Sequence, residues 1–187
     1  MALITVPPRP DLAQKFRLSF YARAERQDPL SQEIHVPVDV STVENITAGK
    51  CAEGAEWSGC VFFCDQMGEA YSCEMTSPDL YGSASFRGLA SGPEADEALR
   101  LISKARGYYK TTSGDYELRL FSVPGLYLEA FRLLSMKPGE PDLYVPWITP
   151  IEDWKHPEIQ ESGDFFKLIE PVAQRRVRPD GADPLMA

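Results

Sequence analysis

Apolar residues stand at every second position in two successive runs near the start of this chain. Phe16, Leu18, Phe20, Ala22 and Ala24 alternate with Lys15, Arg17, Ser19, Tyr21, Arg23 and Glu25. After the turn residues Gln27, Asp28 and Pro29, the alternation resumes with Ile34, Val36, Val38 and Val40. Period two is the mark of a strand with one buried face, so the two runs predict a hairpin. A helix competes for the first run, because Leu12, Phe16 and Phe20 also stand four apart. Pro37 has no N–H to give a ladder, which predicts that the second strand is an edge or leaves one.

Residues 57–64 predict a third strand, with Trp57, Gly59, Val61 and Phe63 facing one way and Ser58, Cys60, Phe62 and Cys64 the other. Both faces are largely apolar, so this strand should be covered on two sides. Met67-Gly68 supplies a turn, and 69–75 return as a shorter strand. The spacing predicts a helix over 93–106. Ser91 and Glu94 match a capping box, Pro93 suits the first turn, and Ala95, Ala98, Leu99, Ile102 and Ala105 form one face. Gly107 would cap its end. Tyr116–Val123 reads as a strand. Residues 124–134 fit a helix from Pro124 or a strand alternating through Leu126, Leu128 and Ala130. Asp142–Trp147 reads as a short strand. Residues 162–170 read as a helix capped by Ser162, burying Phe165, Leu168 and Ile169 and ended or kinked by Pro171.

The expected fold is therefore α+β, a mostly antiparallel sheet of about six or seven strands with two or three helices packed on it. The chain has 187 residues, room for one ordinary domain. Pro7, Pro8 and Pro10 suggest an extended Pro-rich arm over 1–14, followed by a single globular α+β domain over 15–175. Pro179, Gly181 and Pro184 suggest a flexible tail over 176–187. Arg175, Arg176 and Arg178 form the one basic knot and are read as a solvated end.

The net charge of −9 speaks against nucleic acid as a partner, since phosphate binding rests on Lys and Arg. No apolar run reaches the ~20 residues that cross a bilayer, and the N-terminus lacks a signal-peptide pattern. The expectation is a soluble, cytoplasmic protein with no membrane partner and reduced thiols. On that expectation the Asn45-Ile46-Thr47 triplet is a coincidental glycosylation match.

Four cysteines, Cys51, Cys60, Cys64 and Cys73, fall within twenty-three residues, and there are no others. They are the only candidate metal ligands that the sequence offers. Structural zinc sites favour close C-x2–4-C pairs in a tight knuckle. Cys60 and Cys64 on one strand would lie roughly 13 Å apart at ~3.3 Å per residue. Pairing Cys64 with Glu69 would set Cys60 opposite Cys73, while a one-residue slip would turn Cys73 to the other face. The favoured reading is a set of buried, reduced structural thiols, ahead of a disulfide, a zinc site or a catalytic thiol. His35, opposite Ile34 and Val36, reads as a surface residue, and His156 as a loop residue.

No G-x-S-x-G, Walker, G-x-G-x-x-G, H-E-x-x-H or EF-hand pattern occurs, so no catalytic residue and no cofactor is assigned. Glu94, Asp96 and Glu97 are read as compensating a helix dipole. Aromatics including Phe62, Phe63, Tyr71, Tyr81, Phe86, Tyr108, Tyr109, Phe121, Tyr127, Phe131, Tyr144 and Trp147 are read first as core and second as a ligand-pocket lining. The leading expectation is a non-enzymatic binding or assembly protein with a protein partner or self-association. The alternatives are a small enzyme or small-ligand carrier with an aromatic-lined pocket between sheet and helix, and a zinc-stabilised module.

Overall fold

The structure is a computed structural model and describes residues 3–24, 28–76, 85–108, 115–151 and 159–177. In chain order its elements are β1 (Leu3–Ile4), α1 (Pro10–Tyr21), β2 (Gln32–Val40), α2 (Val43–Thr47), β3 (Glu56–Gln66), β4 (Glu69–Thr76), β5 (Ser85–Ser91), α3 (Pro93–Tyr108), β6 (Tyr116–Val123), β7 (Leu128–Ser135), β8 (Leu143–Ile148), β9 (Gln160–Glu161) and α4 (Ser162–Val177). Short 3-10 turns occupy Cys51–Gly54 and Pro124–Leu126. The fold is α+β, as expected, but among the described residues the sheet has nine strands rather than six or seven, and four α-helices accompany it. No helix among the described residues is long and apolar enough to cross a membrane.

The strand order is β5-β4-β3-β2-β6-β7-β8-β9, with β1 alongside β6. Neighbours are antiparallel except β1 and β2, which both run parallel to β6. β2 is thus interior, not the edge that Pro37 implied. Its pairing to β6 covers only Val38–Val40. Pro37 therefore sits one residue short of that ladder and interrupts nothing there.

The first run, 15–25, is the main correction. Its described part lies in α1 and the residues just after it, not in a strand, and α1 also takes residues 10–14 from the expected arm. Leu12, Phe16 and Phe20 are its buried residues, at helical spacing, while Leu18 is 65% exposed. Period-two and period-four patterns share Phe16 and Phe20. Pro10 at the start of the helix and the burial of the every-fourth set decide for helix. The described arm lies on the chain's own sheet, where Leu3 pairs with Tyr116.

Two helical layers cover the sheet. On one face α3 packs on Ile34, Val36, Phe63, Leu118 and Phe131. On the other, α1 covers Cys60, Phe62, Cys64 and Cys73, while α2 and α4 cover Phe121, Ala130 and Tyr144. The two-sided burial expected of β3 follows from this arrangement. α3 continues through Gly107 to Tyr108, so Gly107 is not its cap, and Leu101 joins the buried set. α4 likewise runs on through Pro171 to Val177 and buries Phe166 and Ala173, with Leu168 only half-buried. The ambiguous stretch 124–134 is a 3-10 turn followed by β7.

Between α1 and α4 the second face carries a row of ion pairs. Asp39, 5% exposed, meets Arg119 at 3.0 Å and Arg132 at 3.5 Å. Arg119 also meets Glu117 at 2.7 Å, and Arg132 meets Asp142 at 2.6 Å. Gly59, on β3, has φ +151, and a Cβ there would stand 2.3 Å from the Met75 carbonyl oxygen. Only glycine allows β4 so close at this point.

Candidate functional site

α3 leaves part of its face of the sheet uncovered. A cleft of about 730 Å³ opens there, and no α3 residue lines it. Its apolar surface comes from Val38, Val40, Val61 and Leu120, with Trp147 and Tyr127 also in its walls. Such a volume is in the range of small-ligand sites.

Glu129 supplies the cleft's desolvated charge. The chain turns at Pro124–Leu126, and Tyr127, at φ 52, re-aims it. Leu128 and Ala130 then point to the α4 core, so alternation turns Glu129 to the opposite face, paired with Ser122. A register shift between Glu129 and Ala130 against β8 marks a bulge at this point. Glu129 is partly buried and has no hydrogen bond or ion pair among the described residues. Burial pushes its carboxyl from the usual 4.5 up to about 7, and Glu74 and Glu94 add to the rise. Glu74 itself pairs with Arg87 at 3.2 Å, both well exposed. Trp147 is held in place by its indole N–H, which donates to the Glu94 carbonyl at 3.2 Å. Phe131 lies nearly parallel to it at 5.7 Å and Phe63 meets it edge-on.

A group placed like Glu129 makes folding depend on pH. Between about 4.5 and 7 the folded state holds the proton that the unfolded state has released. Stability therefore falls as pH rises through that window and levels off above it. Glu129→Gln removes this loss. The variant is expected to be more stable than the parent at pH 8 by about 1–3 kcal/mol, with the gap closing below pH 4.5. Urea unfolding at several pH values reads this directly, and a pH-independent gap would contradict the assignment.

The cysteines lie elsewhere. Cys60, Cys64 and Cys73 are buried together beneath α1, on the face opposite the cleft, and Cys51 stands apart in a 3-10 turn against the α4 core. The hairpin register pairs Phe62 with Cys73 and Cys64 with Tyr71, not Cys60 with Cys73. The two-residue turn at Met67-Gly68, both at positive φ, sets Gln66 against Glu69 and so fixes this. Cys73 is diagonal to Cys60 and Cys64 on one face. All four are free thiols. Burial pushes the thiols of Cys60, Cys64 and Cys73 up to about 12, which disfavours the thiolate a metal needs. Among the described residues no group of three His, Cys, Asp or Glu is placed to hold a metal ion. In native protein iodoacetamide is expected to label Cys51 first, and the other three only after denaturation. Peptide mapping distinguishes them, and early labelling of Cys73 would refute their burial.

His35 is not the surface residue expected. It is half-buried against Phe62, ring centroids 5.1 Å apart, and its Nδ1–H donates to the Val6 carbonyl at 2.8 Å. Burial lowers its pKa despite that bond. It fastens the arm over a smaller cavity of about 400 Å³ that includes Trp57 and Arg119. His156, Tyr81 and Tyr109 lie outside the described residues. Of the named aromatics that are described, Tyr127 and Trp147 line the cleft. Sequence patterning does not single out Glu129, because it sits inside the stretch whose period is ambiguous.

No protein-family model matches the chain, and no curated protein or solved structure matches it either.

Proposed function

We propose that this protein binds a small, largely apolar molecule in the cleft, with Glu129 as its polar anchor. The observation that carries this reading is a partly buried carboxylate with no counter-charge of its own among the described residues, set beside apolar walls in a cleft whose other charges, Glu74 and Arg87, pair with one another. Ligand sites commonly combine apolar walls with a few placed polar groups and a perturbed titratable residue. A fragment library screened by amide NMR shifts is the test. Shifts converging on Val38, Leu120, Glu129 and Trp147 support the reading. Fragments that settle only beside His35 and Trp57, or nowhere, refute it.

The protein–protein reading expected from the sequence draws on a different observation. β5 pairs with β4 on one side and has no strand on its outer side among the described residues. It is a seven-residue edge without proline, suited to adding a strand from a partner or a second copy. Native mass spectrometry across a concentration series would show a multiple of the 20.9 kDa chain if copies pair there.

A further inference from the structure

Given that the cleft is a binding site, a reading on which the ligand class depends, its electrostatic sign selects among ligands. Glu129 from β7 and Glu74 from β4 both line it. Glu94, in the first turn of α3, is close enough to raise the proton affinity of Glu129. Among the described residues one arginine lines the cavity, Arg87 on β5, and it is taken by Glu74. Tyr127 completes the titratable groups of the walls among the described residues and is 74% exposed. Trp147 has its N–H committed to the Glu94 carbonyl, so it offers an occupant ring surface and no donor.

An occupant that covers the apolar walls takes water away from Glu129. A carboxylate ligand would then face two acids, Glu129 and Glu74, with one committed arginine. A neutral ligand would leave Glu129 to hold a proton. A cation would pair with it directly, and ring surface nearby favours a cation further. The geometry points to a ligand with an ammonium head seated on Glu129 and an apolar body lying over Val38, Val61 and Leu120.

Titrating the full chain calorimetrically with phenethylammonium, 2-phenylethanol and 3-phenylpropanoate tests this, with amide shifts locating each probe. At pH 8 the amine is expected to bind about tenfold more tightly than the alcohol. Its advantage should shrink at pH 6, as Glu129 takes up its proton, and vanish in Glu129→Gln. That variant should still bind the alcohol, which shows that the cleft remains formed. Equal binding of amine and alcohol in the parent would overturn the cation inference and leave the cleft reading standing. Preference for the carboxylate would overturn it likewise and make Arg87 the anchor. If none of the three enters the cleft at millimolar concentration, both readings fall.

Discussion

Phe16→Ala is expected to lower folding stability by about 3–5 kcal/mol, while Leu18→Ala should change it by no more than about 0.5 kcal/mol. Phe16 is fully buried and stacks on Phe62 with ring centroids 4.1 Å apart and planes parallel. It also meets Phe20 at 5.9 Å. Removing the ring leaves a cavity between α1 and β3 that a well-packed layer closes only in part. Leu18 lies on the far side of the helix, 65% exposed. The contrast tests α1 itself, because a strand would place both side chains on one buried face. Urea unfolding of the two variants decides between them, and comparable losses would contradict the helix.

Asp39→Ala is expected to cost about 3 kcal/mol. Its carboxylate joins two guanidinium groups in the middle of the sheet, where little water can replace it. Without it Arg119 and Arg132 face one another across a vacated site. The cost stays at the lower end for a buried pair because each arginine keeps a second carboxylate, Glu117 or Asp142. Being buried, the interaction should survive high salt, unlike the exposed Glu97–Arg100 pair. Unfolding of Asp39→Ala beside Glu97→Ala, at low and high salt, measures the difference. Equal and salt-sensitive effects would show that the row of ion pairs is only a surface feature.

Much of the sheet was legible in the sequence. β2, β3, β4, β6 and β8 announce themselves by alternating or continuous apolar runs, and α3 by its start signals and apolar face. What escaped has physical causes. α1 shares its apolar positions with a strand pattern, and only tertiary burial of Leu12, Phe16 and Phe20 separates the two. β5, Ser85–Ser91, carries its two large apolar residues, Phe86 and Leu89, three apart among small and polar ones, because a register shift breaks the alternation, so it shows no period of two. β1 and β9 are two residues each and exist through pairing with β6 and β8. The hairpin register between β3 and β4 differs from the expected one by two residues, because it depends on both Met67 and Gly68 adopting positive φ. The site was the least legible part. Glu129 reaches the cleft through a turn, a left-handed Tyr127 and a bulge, none of which local patterning encodes. The cysteine cluster, conspicuous in sequence, turns out to be core beneath α1.

Ligand binding in the cleft depends on Glu129 being a desolvated carboxylate among apolar walls. Its side-chain carboxyl ¹³C shift, followed by NMR from pH 4 to 9 and assigned with Glu129→Gln, tests that most directly. A midpoint near 7 that falls when phenethylammonium is added is the expected result. A midpoint at the ordinary value of about 4–5, unmoved by the amine, would contradict it.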